Sequence, residues 1–506
     1  MIKALGPGLR RGCLWVWLSI VLIGSGSAAF AQAPPKKKAD PGATKKESPP
    51  AAKDVAKDQP AAKADDKDNA PDENPDDDRP GVEVFKDPHA EAALAIFKSV
   101  SGIKDSLRPQ DINAVKSMAG GGDRLDEALI ERYVSSMAAR LIDKANINGL
   151  INPPVGRMGS SITRAIQETS VNLIDPLNMA RLAKNTAFLD IYSRQLINIL
   201  PKLLDNNLVA RTEAMIVLGQ VASPRALPIF IKEIKEKNQT VQVKLWAARG
   251  IANVVGNGAA LSSVPASEAL TASKAISDFL GTDKDTLWFL QMRALEALGS
   301  LRQAAVATNL QKAEMAVTAM SFLADPDGRP EVRASAAWAL GMMQINPAIR
   351  GYNFPLVAYD TGTLAAEIGA QVNSGFRANQ VRSNYLTGLL VAPIYQTFKG
   401  IDGARESGLL NAPALGSAQS YVARIADLTA SVSKASIELI RAPNGQIDAR
   451  QKDLGERLAT LKAYLDKNPP KDWRLVPGGP EFKVRQAQVA DAPGAQRRLA
   501  GAAGGR

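Results

Sequence analysis

The distribution of apolar and polar residues repeats four times between positions 196 and 341. Each copy opens with an amphipathic stretch whose apolar residues recur at steps of three and four, the spacing of one helix face. The four stretches are Leu196 to Leu204, Ala226 to Ile234, Leu270 to Leu280 and Met315 to Leu323. Because a second helical stretch follows each of them, the pattern predicts four helical hairpins.

The second stretch of each copy carries a fixed line of five residue types. An acid or amide is followed six residues later by a basic or polar residue, and then by an alanine, a large aliphatic residue and a small residue at steps of three, four and one. The four lines are Asp205, Arg211, Ala214, Leu218, Gly219; Asn238, Lys244, Ala247, Ile251, Ala252; Asp285, Gln291, Ala294, Leu298, Gly299; and Asp327, Arg333, Ala336, Leu340, Gly341. The first residue suits a helix start, the alanine and the aliphatic residue share a buried face, and the last residue permits close packing.

This line resembles the HEAT-repeat (armadillo-like) family, in which the second helix begins with an Asp followed six residues later by an Arg. The resemblance covers residues 196–341 and implies an all-α fold, a right-handed α-solenoid of HEAT-like helical hairpins. It also implies a hydrogen-bonded ladder along the solenoid. Position by position, the ladder joins the pairs Asp205 and Arg211, Asn238 and Lys244, and Asp327 and Arg333. The third copy keeps Asp285 but has Gln291 at the basic position.

The flanking segments also have helical patterns. Residues 81–195 are predicted to form the helical N-terminal part of the solenoid, and residues 342–416 a divergent helical segment with a hairpin of Leu364 to Val372 and Val381 to Phe398. Residues 417–468 are predicted to form an antiparallel helical pair. Its helices are Ser417 to Arg441 and Ile447 to Lys467.

A leucine seam marks the second helix of that pair. Leu454, Leu458, Leu461 and Leu465 step by four, three and four, as in a coiled coil. They either pack within the chain or form a weak homodimer. The tail, residues 469–506, is predicted to be mostly disordered.

The first residues have the composition of a secretory signal. Basic residues precede an apolar stretch from Leu14 to Ile23, and small residues lead to a cleavage site after Ala31. The alternative is an uncleaved membrane anchor. Residues 32–80 are rich in Pro, Ala, Lys and Asp and are predicted to be a disordered linker. We therefore expect an exported protein of the periplasm or extracellular space, and since Cys13 is the sole cysteine, its mature form contains none.

The residues that usually carry enzyme chemistry are scarce. The chain has one histidine, His89, and after cleavage no cysteine, which excludes a zinc site or a histidine-based triad. The paired acids Asp283 with Asp285 and Asp325 with Asp327 stand at predicted helix starts, where Asp serves as a cap. We expect no catalytic residue, metal or cofactor, and a carboxylate-based enzyme is the second alternative.

Function is expected to reside in the repeat surface, because stacked hairpins expose a long face that binds proteins. Arg249, Arg293 and Arg302 stand outside the ladder positions and are candidate interaction residues. With a net charge of +11, the chain favours acidic partners. We predict a non-catalytic scaffold with a protein partner; the first alternative is a module that binds an anionic polymer of the cell envelope. Aromatic residues make up only 5%, so no nucleic acid is expected.

Overall fold

The structure is a computed structural model that describes residues 87–152, 161–256, 261–282 and 286–482. Within these residues the regular elements are helices, accompanied by two isolated β-bridges. The predicted all-α class is confirmed. The predicted signal segment and the linker of residues 32–80 lie outside the described residues.

The N-terminal part is helical, as its pattern predicts. Its helices are α1 (Pro88–Leu94), α2 (Pro109–Ala119), α3 (Glu127–Ile142), α4 (Lys144–Ile151) and α5 (Ser161–Leu182). Asp87 fixes its first residues, because one carboxylate oxygen caps α1 through the backbone N–H of His89 and the other accepts the N–H of Val241 at 2.9 Å. A single side chain thus joins two helix starts that are far apart in sequence.

Helices occupy all four copies of the repeat pattern. Their helices are α6 (Thr186–Ile199), α7 (Leu208–Val221), α8 (Leu227–Lys235), α9 (Val241–Val254), α10 (Ala266–Thr282), α11 (Trp288–Leu301), α12 (Glu314–Leu323) and α13 (Pro330–Met342). One boundary differs from the prediction. Asn185 caps α6 well before Leu196, and the helix gives way to a 3₁₀ turn over Leu200–Leu203. Pro201 explains this end, since it lacks the N–H that an α-helix would need there.

The helices of the hairpins contact each other in two rows. In one row α8 contacts α10 and α10 contacts α12; in the other α7 contacts α9, α9 contacts α11 and α11 contacts α13. Each of α9, α11 and α13 also packs on the first helix of its own hairpin. The second helices are therefore enclosed on most sides, and α13 is buried along nearly its whole length.

The last residue of the repeat line lies where neighbouring second helices approach most closely. A Cβ added to Gly299 would lie 2.6 Å from Cα of Ala339 on α13, and a Cβ on Gly219 would lie 3.6 Å from Cα of Gly250 on α9. A Cβ on Gly341 would lie 2.6 Å from Cα of Thr397. The backbones are thus in contact at this position, which explains why it is restricted to small residues.

The divergent segment is longer and more regular than predicted. It consists of α14 (Phe354–Gly375), α15 (Gln380–Leu389), a π turn (Leu390–Ile394) and α16 (Tyr395–Lys399). α14 begins ten residues before the predicted start at Leu364, because the Asn353 side chain caps the helix and Pro355 is tolerated in its first turn. Through Thr397, α16 takes the place beside α13 that a further second helix would occupy.

The C-terminal pair agrees closely with its prediction. Its helices are α17 (Gln419–Ile440) and α18 (Ile447–Lys467), which pack on each other and on α14. Leu454, Leu458, Leu461 and Leu465 are at most 3% exposed. Leu458 and Leu465 contact the side of α14 at Gly369 and Gly362. The leucine seam therefore packs within the chain, as the first of its two predicted alternatives has it.

Residues 469–482, the start of the tail that is predicted to be mostly disordered, pack against the helices. Leu475, Val476 and Phe482 are buried, and Trp473 packs edge-on against Tyr359 with ring centroids 5.7 Å apart. Asn353 binds the same stretch through the carbonyls of Asp472, Arg474 and Leu475. A few scattered apolar residues therefore fix a stretch that has no helical periodicity.

We predict that Gly341→Ala destabilises the protein by about 1–3 kcal/mol, as overpacking of a tight contact does. The added methyl would meet the backbone of Thr397, which cannot rotate away. The measurement is the free energy of unfolding in urea. The control is Gly388→Ala on α15, where the added Cβ has open space and the helix should gain up to about 1 kcal/mol from the better helix former. Equal stability of the two variants would contradict the close approach at Gly341.

Candidate functional site

Arg211 and Arg333, the basic residues of the first and fourth repeat lines, join consecutive hairpins. Arg211 donates from Nε to the carbonyl of Asn206 before α7, and from Nη1 to Oε1 of Gln239 at 3.3 Å. Arg333 donates from Nε to the carbonyl of Leu323 at 3.1 Å, and from Nη1 to Glu367 on α14. Each guanidinium thus holds a backbone carbonyl of its own hairpin and a side chain of the next.

The other predicted ladder residues lie near the helix starts. Asp205 is exposed, and its charge raises the pKa of Arg211 against the larger lowering effect of burial. Asn238 is exposed, and its backbone N–H is bound by Glu236. Lys244 is buried with its ammonium 5.6 Å from the ring centroid of Phe279.

Two ladder acids remain. The backbone N–H of Asp327 binds Asp325 in the loop before α13, and Asp285 lies outside the described residues. The Asp-to-Arg rungs therefore stay a prediction. The side-chain acceptors of Arg211 and Arg333 include Gln239 and Glu367, two residues that the repeat line does not contain.

Burial argues against Arg302 as a candidate interaction residue. Its side chain is buried, with Nε donating to the carbonyl of Met342 at 3.1 Å and Nη2 donating to the carbonyl of Arg405. Its backbone is left-handed at the end of α11 (φ 59°), which directs the chain into the next loop. Arg302 therefore fastens the end of α13 to the loop after α16, and it is not part of an exposed surface.

Arg249 and Arg293 do lie on a partly exposed surface, and they are close to one another. Arg293 on α11 pairs with Glu296 at 2.6 Å, and both side chains are about a quarter exposed, at 24% and 25%. Arg249 on α9 is half-buried. Burial lowers the pKa of Arg249, the charge of Arg293 lowers it further, and Glu296 raises it.

Two residues of α15 border the same surface. The Arg382 guanidinium lies 5.4 Å from the ring centroid of Tyr385 and pairs with Glu331 on α13 at 2.9 Å. Burial raises the pKa of the Tyr385 hydroxyl, Glu331 raises it further, and Arg382 and Arg293 oppose the shift. We define the arginine–tyrosine face as Arg249, Arg293, Glu296, Arg382 and Tyr385. The repeat pattern could not indicate Tyr385, because α15 lies outside the repeat line.

The repeat register explains why the face lies where it does. Five residues after the basic position of the four lines come Ile216, Arg249, Glu296 and Trp338. The first three are partly exposed on adjacent helices, while Trp338 is covered by α16 through a hydrogen bond to Gln396. One turn earlier on α9 and α11, Leu245 and Met292 are also partly exposed. Equivalent positions thus form a mixed apolar and charged line across three helices.

An open groove of about 530 Å³ lies on the other row, between α8 and α10. It is lined by apolar residues of α8, two lysines, two acids and small hydroxyl residues, namely Leu227, Pro228, Ile231, Lys232, Lys235, Glu236, Ser267, Glu268 and Thr271. Its charges are mixed, so it does not favour one ligand class.

The described part of the chain has no group of three or more His, Cys, Asp or Glu side chains placed to hold a metal ion. Of the helices in residues 87–482 that the structure describes, none is both long enough and apolar enough to cross a membrane.

One acidic side chain is buried without a hydrogen-bond partner. Asp360 on α14 is 2% exposed, and neither carboxyl oxygen has a hydrogen-bond partner. Burial raises its pKa to about 8; Arg333 opposes the shift and Glu367 adds to it. The carboxyl group is therefore mostly protonated at neutral pH.

Comparison with known proteins adds no identification. No family model matches the chain, and no curated protein or solved structure matches it.

We predict that Asp360 makes the protein less stable as the pH rises from about 4 to about 8. The folded state holds the proton up to a pKa of about 8, whereas the unfolded chain releases it near about 4. The stabilisation that protonated Asp360 contributes is fully present below a pH of about 4 and is lost as the pH rises through the folded-state pKa of about 8. The Asp360→Asn variant should be close to wild type at pH 4 and should gain on it by up to about 1.4 kcal/mol per pH unit above that. Urea unfolding at several pH values measures the difference, and a constant difference would contradict the raised pKa.

We predict that Arg333→Ala lowers the free energy of unfolding by about 1–3 kcal/mol, because it leaves the Leu323 carbonyl and the Glu367 carboxylate without their donor. The matched control is Arg249→Ala, a second-helix arginine that makes no such bonds; its effect should stay within about 0.5 kcal/mol. Thermal and urea unfolding measure both variants. A larger loss of unfolding free energy in Arg249→Ala than in Arg333→Ala would contradict the structural role of Arg333.

Proposed function

We propose that the protein is an exported, non-catalytic scaffold that binds another protein across the partly exposed faces of α7, α9 and α11. The observation that carries the proposal is the line of equivalent, partly exposed positions Ile216, Arg249 and Glu296 on three helices in contact. A partner that lies across the row would meet the same position of each hairpin in turn.

The composition of this surface supports a protein ligand. Arginine, tyrosine and methionine are enriched in the centres of protein interfaces, and Arg249, Met292 and Tyr385 supply them here. Leu245 adds an aliphatic contact on the same helix as Arg249. Such a surface offers both apolar area and charge, which a folded protein or a peptide segment can use together.

The arrangement that we propose for the hairpins is a right-handed α-solenoid of HEAT-like units, with the second helices on the binding side. It is supported by the two rows of helix contacts and by the small residue at each close approach. The proposal of export rests on the signal-like sequence before Ala31.

The test places a photo-crosslinking amino acid at single positions of the full chain in cells. We expect Ile216, Leu245 and Met292 to give the same adduct, recovered from the cell envelope fraction. The controls are Lys232 on α8 and Lys274 on α10, exposed residues of the other row, which should not give it. The same adduct from both rows, or none from the three second-helix positions, would contradict the proposed surface.

A further inference from the structure

Arg249 differs from the other arginines of the second helices because its guanidinium forms no hydrogen bond or ion pair with the described residues. Arg211, Arg302 and Arg333 each hold carbonyls or side chains, and Arg293 pairs with Glu296. Arg249 is half-buried and forms no hydrogen bond or ion pair with any residue that the structure describes. A guanidinium has five N–H donors, and none of those of Arg249 is both fully buried and unbonded, so they remain open to water or to a ligand.

The charges of the arginine–tyrosine face leave one positive charge uncompensated. Glu296 neutralises Arg293, and Glu331 neutralises Arg382. The excess is therefore located at Arg249, which occupies on α9 the repeat position that Glu296 occupies on α11, and these two helices are in contact. A single anion placed between Arg249 and Arg293 would meet donors from two helices.

We infer that Arg249, with Arg293 beside it, binds a carboxylate of an acidic segment in the protein partner. This inference rests on the proposed function and names the chemistry of its partner. A carboxylate matches the planar fork of a guanidinium through two parallel hydrogen bonds. One carboxylate is enough to neutralise the single uncompensated positive charge of the arginine–tyrosine face.

The neighbouring residues favour a peptide over a densely charged polymer. The face has one uncompensated positive charge, whereas the closely spaced charges of a polyphosphate or polyuronate would need several. Leu245, Met292 and Tyr385 offer apolar contacts that such a polymer cannot use. An acidic residue flanked by apolar ones fits both features.

The experiment measures binding of a short fluorescent peptide, in which glutamate alternates with leucine, to the full chain. The comparison ligands are the same peptide with glutamine in place of glutamate, and inorganic polyphosphate. We expect the glutamate peptide to bind about tenfold more tightly than the glutamine peptide, and polyphosphate to compete poorly. Equal binding of the two peptides, or full displacement by polyphosphate, would overturn the inference.

Three variants test the residues themselves. Arg249→Gln should remove most of the preference for glutamate, and Arg249→Lys should remove part of it, because an ammonium cannot bind in the forked geometry. Glu296→Gln should strengthen glutamate binding severalfold, since it frees Arg293 from its internal partner. Arg225→Gln is the control, an exposed arginine before α8 that pairs with Asp190 at 2.9 Å, and it should have no effect. An unchanged preference in Arg249→Gln, or weaker binding in Glu296→Gln, would refute the assignment.

The two proposals fail in different ways. If the crosslinks at Ile216, Leu245 and Met292 form as expected but Arg249→Gln leaves their yield unchanged, the carboxylate site is wrong and the proposed surface stands. If no crosslink forms at those positions, the proposed function itself fails. Melting curves of the Arg249 and Glu296 variants show whether each remains folded, so a loss of binding can be assigned to the site.

Discussion

The close approach of consecutive second helices is the constraint on which the rest of the structure depends. At Gly299 and Gly341 the neighbouring backbone is so near that a single methyl group would overlap a Cα atom. Two helices in backbone contact cannot rotate freely about their axes, so the small residue fixes which side of each helix is buried. The same contact therefore determines which side of each helix faces outward. This is why equivalent positions such as Ile216, Arg249 and Glu296 come to lie on one surface.

Arginine has two distinct roles in this arrangement. Which role a given arginine has depends on how far it lies from a helix end. Arg211, Arg302 and Arg333 lie near helix ends, where carbonyls lack intrahelical partners and accept side-chain donors. They are buried because they complete the hydrogen bonding of those ends. Arg249 lies in the middle of α9, where the carbonyls are already bonded within the helix. Its donors must therefore find water or a ligand.

The sequence predicted the elements that depend on periodicity and missed those that depend on single contacts. The bounds of α18 were predicted to the residue, because a proline-containing turn precedes it and its leucines recur regularly. The burial of Arg302 was not predictable, since it follows from a left-handed residue at the end of α11 and from a loop more than one hundred residues away. Tyr385 was missed for a similar reason. It lies at the candidate site on α15, which an ion pair between Arg382 and Glu331 joins to α13, and no local sequence pattern indicates that long-range contact.

At the candidate site, the repeat determines where a residue lies but not which residue type occupies the position. The position five residues after the basic one carries isoleucine, arginine, glutamate and tryptophan in the four lines, so the fold does not demand a residue type there. Where the position is covered, as at Trp338, a large aromatic residue fills the space under α16. Where it is open, Arg249 and Glu296 bring opposite charges onto neighbouring helices, but Glu296 is already paired with Arg293. One acid cannot fully satisfy two guanidinium groups, so the face retains a positive charge that the scaffold has no structural need to keep. A charge retained without a structural partner on a surface set by the repeat is the feature that a binding function explains.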